Sequence, residues 1–288
     1  MIIDAHNHAD WHGHNLEKFI ANMDRYHIDK TWLLTWESPM HEVDPVYHCT
    51  NLTGSSYPGP ITLERCLSYV ERAPERFALG FCPDPRLPES LDRLKNAVAM
   101  YGVRICGEMK MRMMYDNLDA VRMFRWCGEH GLPVTLHLDY PYDTGREYPR
   151  RNYWYGGGID CLERLLQKCP ETNFLGHAPG FWCHISDDQL YLTQAYPKGP
   201  VIPGGKIQEL LYTYPNLYCD ISAGSGHNAL SRDREYTRWL LTEFQDRVLY
   251  ARDYFDNIHQ ELLNSLGLAQ SVLDKIYFQN ALKLAPLD

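Results

Sequence analysis

The chain has 288 residues, 28 Lys and Arg against 37 Asp and Glu, a formal net charge of −9 and 44% hydrophobic residues. An acidic balance without a basic run argues against a nucleic-acid or membrane-surface binder, and 23% charged with 12% aromatic residues argues against disorder. Mean hydropathy is −0.43 and no apolar run reaches about eighteen residues, which excludes a membrane-spanning helix.

The nine cysteines are odd in number and scattered, with no Cys-x-x-Cys pair. They read as reduced, mostly buried thiols of a cytoplasmic protein. Met1-Ile2-Ile3-Asp4 has no basic leader, so no signal peptide is expected.

Short apolar runs then alternate with amphipathic ones. Strands are predicted at 2–8, 31–36, 77–82, 103–109, 133–138, 173–177, 217–221 and 248–253. The helices predicted between and after them lie at 16–26, 63–72, 87–100, 118–129, 159–167, 206–212, 236–243 and 258–266, with a last one at 271–284. Thr62 is placed to cap the second of these. Eight strand-then-helix units imply an α/β fold, a distorted (β/α)₈ TIM barrel forming one domain over 1–288. An open doubly wound sheet would want a Gly-rich turn after its first strand, and none is present. Helix-to-strand links are short, whereas the strand-to-helix links at about 37–61, 139–158 and 178–205 are long. In such a barrel those long links sit at the C-terminal face, where active sites form.

The strand ends carry the candidate chemistry. His6-Asn7-His8 closes the first strand, with both imidazoles on one face. His137, His177 and Asp253 end strands five, six and eight, so all would converge on one mouth. Nitrogen and oxygen donors of this kind suit zinc, manganese or iron(II). Strand four ends in Glu108-Met109-Lys110, whose charged residues share a parity. Glu108 is a further candidate ligand, and Lys110 would bind a substrate carboxylate or pair with Glu108. Asp220, ending strand seven, would either orient a neighbouring side chain or anchor its own loop. His12, His14, His184 and His227 are weaker candidates.

The set His6, His8, His137, His177 and Asp253 resembles the metal signature of the amidohydrolase superfamily. The pattern is closest to its amidohydrolase-2 branch of aminocarboxymuconate-semialdehyde decarboxylase-like enzymes and lactonases. Supporting stretches are Ile2-Ile3-Asp4-Ala5, Phe77-Ala78-Leu79-Gly80-Phe81, Gly131-Leu132-Pro133-Val134 and Asn280-Ala281. The resemblance implies one or two divalent ions, zinc foremost. It implies His6, His8 and His137 as ligands, with Glu108 a ligand where two ions are held. Asp253 would be ligand or general base, and His177 would polarise the substrate or shuttle protons.

The loop after strand five holds Tyr140, Tyr142, Arg146, Tyr148, Arg150, Arg151, Tyr153, Trp154 and Tyr155. With Trp36, these suit a small anionic substrate with a planar part. They would equally suit an interface between two copies in a homodimer. The expected activity is hydrolysis of a lactone, amide or ester by a metal-activated water. The alternative is non-oxidative decarboxylation of an unsaturated or aromatic acid.

Overall fold

The computed structural model describes residues 1–43, 60–139 and 155–287. Its eight strands are β1 (Ile3–Asn7), β2 (Lys30–Leu33), β3 (Phe77–Leu79), β4 (Cys106–Met109), β5 (Val134–His137), β6 (Phe174–His177), β7 (Leu217–Asp220) and β8 (Val248–Leu249). All the paired neighbours run parallel, in the orders β1-β2-β3 and β4-β5-β6-β7-β8. Gly80 opposite Ile105 joins the two groups. The Ala5 N–H donates to the Tyr250 carbonyl (3.0 Å), which closes the ring between β1 and β8. This is a TIM barrel, as eight strand–helix units require.

The helices are α1 (Leu16–Arg25), α2 (Leu63–Arg72), α3 (Ser90–Tyr101), α4 (Leu118–Glu129), α5 (Ile159–Lys168), α6 (Pro179–Trp182), α7 (Lys206–Thr213), α8 (Ala223–Ser231), α9 (Arg234–Glu243), α10 (Ile258–Ser265), α11 (Gln270–Asp274) and α12 (Asn280–Leu284). Short polar side chains start several of them. Asn15, Thr62 and Asn117 accept from the N–H groups of Lys18, Arg65 and Ala120.

Two apolar layers hold the fold. The inner one fills the barrel with Ile3, Ala5, Trp32, Leu34, Ala78, Ile105, Leu175, Tyr218, Leu249 and Ala251. Ala281, Leu284 and Ala285 from the C-terminal segment join it. Asn280 docks that segment, donating to the carbonyls of Gln245 (2.7 Å) and Val248 (2.8 Å). The larger outer layer lies between strands and helices. The eight described cysteines are buried and unpaired, and among the described residues no helix is long and apolar enough to cross a membrane.

Several elements differ from the sequence expectation. The third helix starts at Ser90, not at 87. The last one is broken between α11 and α12 by a wide π turn over Lys275–Gln279. The Ile276 carbonyl within that turn accepts from the Tyr250 N–H (2.9 Å), so the widened turn completes β8's bonding. β8 itself stops at Leu249; beyond it the Tyr250 N–H bonds the Ile276 carbonyl, the Arg252 N–H bonds Asp4 Oδ1 and the Asp253 N–H bonds the His6 carbonyl. Helices α6 and α8 were not foreseen. The segment of α8 opens Ala223-Gly224-Ser225-Gly226, whose two glycines weaken the helical signal.

Gly226 is required there. A Cβ at this position would lie 2.0 Å from the Ile221 carbonyl oxygen, which is backbone and cannot swing away. Gly226→Ala is expected to cost about 1–3 kcal/mol of stability, as overpacking does. Urea unfolding measures it, and an unchanged midpoint would refute the argument.

Candidate metal centre

On β6, β7 and β8 the inward parity is set by the core. Leu175, Tyr218 and Ala251 lie in the inner layer, and His177, Asp220 and Asp253 follow each by two residues. On β1 the same rule would turn His6 outward, since Ile3 and Ala5 already face in. There the register slips. Asp4 to Asn7 spans three residues against the two of Thr31 to Leu33, which brings His6 and His8 to the interior. β4 repeats the device: Cys106 to Met109 spans three residues against Val134 to Leu136. Ile105 therefore faces in, and so does Glu108.

The gathered atoms are close. His6 Nε2 lies 3.2 Å from His8 Nε2 and 3.8 Å from Glu108 Oε1. His8 Nε2 is 3.4 Å from Glu108 Oε2 and 3.6 Å from Asp253 Oδ1. His177 Nε2 is 3.8 Å from Glu108 Oε1 and 3.6 Å from Asp253 Oδ2. Among the described residues, two triplets have donor atoms within 4.8 Å of one another: His6, Glu108 and His177, and His6, His8 and Asp253. His137 belongs to neither, but its Nδ1 bonds Glu108 Oε1 at 2.8 Å.

The far side of each ring is anchored. His6 Nδ1 donates to Asp220 Oδ2 (2.6 Å) and His8 Nδ1 to the Leu34 carbonyl (2.8 Å). His177 Nδ1 is 2.9 Å from Ser222 Oγ. Because a carboxylate and a carbonyl only accept, Nδ1 carries the proton on His6, His8 and His137. Their Nε2 lone pairs then point inward. Two such lone pairs 3.2 Å apart repel unless a proton or a metal cation lies between them.

Burial by itself would lower the His6 pKa, but the carboxylates of Asp220, Asp253 and Glu108 outweigh it and raise it to about 10. Burial alone would raise Asp220, yet His177 and His6 hold it at about 2. Glu108 is likewise held low against its burial by Lys110, His137 and His6. Burial pushes Asp253 up, His177 down, and His137 down to about 4, with Lys110 adding to the last. The carboxylates around His6 thus favour positive charge at that ring.

A divalent ion fits these residues. Among the described residues, Glu108 Oε2, His137 Nε2, His177 Nε2 and Asp253 Oδ1 are buried without hydrogen-bond partners. Such orphans are rare in native proteins, and here those of Glu108, His177 and Asp253 belong to residues of the two donor triplets.

Asp220 does both things expected of it. One oxygen orients His6, and the other accepts from the Ser222 N–H (2.8 Å). Asp220→Ala is expected to weaken metal binding about 10–100-fold by freeing the His6 ring. Chelator competition measures it, and an unchanged affinity would contradict the assignment.

Around the centre, Lys110 Nζ sits 4.1 Å from the Trp36 ring centroid and 6.0 Å from that of Tyr155. Trp11 packs its edge on His8, and its Nε1 donates to the Asp253 carbonyl (3.0 Å). His12 is half-buried between the Trp11 and Tyr254 rings, while His14 stacks on Phe255. His184 and His227 line separate cavities of about 510 and 470 Å³ that hold none of these ligands. Tyr140, Arg150 and Arg151 lie outside the described residues. Sequence reasoning missed Ser222 and the Leu34 carbonyl. The parity of Ser222 with Asp220 was a usable signal; a backbone carbonyl leaves none.

Residues 3–287 match the amidohydrolase family. The chain belongs to that family. No curated protein matches this amidohydrolase in sequence. Its fold is similar to that of 5-carboxyvanillate decarboxylase from Sphingomonas paucimobilis, with TM-score 0.63, 13% identity, and 100% and 99% of the two chains covered. A candidate 2-pyrone-4,6-dicarboxylic acid hydrolase from Pseudomonas putida is similar at TM-score 0.63 and 14% identity, covering 98% of this chain and 96% of that one. A dihydroxybenzoic acid decarboxylase from Polaromonas sp. JS666, with bound manganese and the inhibitor 2-nitroresorcinol, gives TM-score 0.60, 17% identity, and 98% and 96% coverage. The family is metal-dependent, and its solved relatives include both decarboxylases and a hydrolase.

Proposed function

We propose that this amidohydrolase is a metal-dependent hydrolase of a lactone, amide or ester of a small anionic substrate. His6, His8, Glu108, His137 and Asp253 hold the ion, zinc foremost, with manganese or iron(II) as the other metals these donors suit. The reading rests on one observation: Glu108, His177 and Asp253, each with a buried, partnerless donor atom, stand in triplets with the paired His6 and His8, and His137 bonds Glu108 beside them. Bound there, a divalent ion supplies Lewis-acid chemistry, polarising a carbonyl and acidifying water towards a pKa of about 7.

The chain's own groups do the rest. Asp253 takes the proton of the attacking water, since its Oδ1 makes no hydrogen bond within the protein. His177, steadied through Nδ1 by Ser222, presents Nε2 to the substrate carbonyl or leaving group. Lys110, between the Trp36 and Tyr155 rings, neutralises a substrate carboxylate while the rings flank its planar part. Carbonyl hydrolysis needs no more than these roles.

The second reading is decarboxylation, favoured by the aromatic-acid decarboxylases among the structural relatives. There the bond to the carboxylate carbon breaks, its electron pair stays on the ring carbon, and a proton from Asp253 or His177 replaces carbon dioxide. The two separate in one experiment. Protein reconstituted with zinc, manganese or iron(II) is given cyclic lactones and hydroxybenzoates, and acid release and carbon dioxide release are recorded separately. Acid without carbon dioxide supports the hydrolase. Carbon dioxide overturns it in favour of the lyase, and silence with every metal overturns both.

A further inference from the structure

Behind the metal centre, the outward side of β1 carries a second polar cluster. Asp4 and Arg252 are both fully buried, and Arg252 Nε donates to Asp4 Oδ2 at 2.9 Å. The Arg252 backbone N–H donates to Asp4 Oδ1 (2.8 Å). Asn7 Nδ2 donates to Asp4 Oδ2 (3.1 Å) and to the Tyr254 carbonyl (2.8 Å). Arg252 Nη1 reaches Asn22 Oδ1 on α1 (2.7 Å), whose Nδ2 donates to the Phe255 carbonyl (2.7 Å). Residues 4–8 are thus stitched to residues 252–255 by side chains, where the β8 ladder has already ended. His6 and His8 stand on one of these segments and Asp253 on the other. Asp253 is held in a left-handed conformation (φ 49), its N–H bonded to the His6 carbonyl (2.8 Å).

Burying two charges is unfavourable, and hydrocarbon of the same volume closes a seam at least as stably. What the ion pair adds is direction, since its bonds are satisfied at one register of β1 against β8 only. The geometry points to Asp4 and Arg252 as positioning residues that set the spacing of His6 and His8 against Asp253, and through it the metal affinity. This rests on the metal-binding reading of that centre.

The test is the double variant Asp4→Leu/Arg252→Met, which removes both charges and leaves neither stranded. Zinc and cobalt(II) affinities are read by chelator competition, the cobalt(II) visible spectrum reports ligand geometry, and urea unfolding reports stability. The expected variant folds cooperatively, binds metal about 10–100-fold more weakly and shows altered cobalt bands. Arg252→Lys, which keeps a cation beside Asp4, recovers part of the affinity. Unchanged affinity and spectrum in the folded double variant would overturn the inference. If the double variant does not fold, Asn22→Leu frees Arg252 Nη1 and the Phe255 carbonyl while keeping the Asp4–Arg252 pair; a smaller loss of affinity supports the inference and none overturns it. Wild-type protein that takes up neither ion overturns the metal reading itself, and this inference with it.

Discussion

Replacing His6 by alanine is expected to strip the protein of its divalent ion and of its activity together. His6 belongs to both triplets of convergent donors, so its loss leaves neither complete. It is also the group that lets Asp220, Asp253 and Glu108 lie near one another, as their combined pull on its pKa shows. Without it, three buried carboxylates face each other with less compensation, and the remaining donors no longer enclose a point. Metal affinity should fall by more than the about 10–100-fold typical of removing a group that only orients a ligand. Elemental analysis after dialysis gives the metal content, and turnover is assayed on the same sample. A His6→Ala protein with a full complement of metal and unchanged turnover would remove His6 from the centre.

Much of this arrangement is legible in the sequence, for identifiable reasons. His177 and Asp253 follow apolar inward residues at spacings of two, so strand parity alone aims them into the mouth. Thr62 and the helix it starts were readable because a capping side chain and a 3.6-residue stripe are local signals. The facing of His6, His8 and Glu108 was not readable. The i, i+2 rule groups His6 with His8 but cannot say which way they turn; the register slips on β1 and β4 decide that. Those slips depend on what the neighbouring strand offers, which no single segment encodes. Helices α6 and α8 escaped for a related reason. They pack directly over strand ends, where Gly180 and Gly226 are demanded by close backbone approach rather than by propensity. Asp4 and Arg252 are 248 residues apart, and only closure of the barrel makes them partners.

The chain spends strained conformations where those strand ends meet the mouth. Ala178, Ala223 and Asp253 all adopt positive φ, at 77, 57 and 49°, just beyond β6, β7 and β8. Non-glycine residues hold such conformations only when their surroundings over-determine them. At Ala223 and Asp253 the backbone N–H is engaged, by the Arg252 and His6 carbonyls respectively. The turn that reverses each strand also aims its last side chain.

The same network makes the largest stability effect predictable. Arg252→Met, made alone, is expected to cost about 3–5 kcal/mol, because it strands a buried carboxylate without its cation. Asp4 would keep the Arg252 backbone N–H, Asn7 Nδ2 and the longer contact to the His6 N–H, which places the cost towards the lower end. Met matches the length of the arginine stem, so lost packing contributes little. An exposed pair supplies the contrast. Arg164 bonds Asp116 with its side chain 47% exposed, and Lys168 stands by as a second cation. Arg164→Met should therefore change stability by no more than about 1 kcal/mol. Urea unfolding of the two variants side by side separates burial from charge pairing as such. If Arg252→Met unfolds at the same midpoint as Arg164→Met, the buried pair contributes no more than a surface one. The closure of β1 against β8 would then have to come from the apolar layers alone.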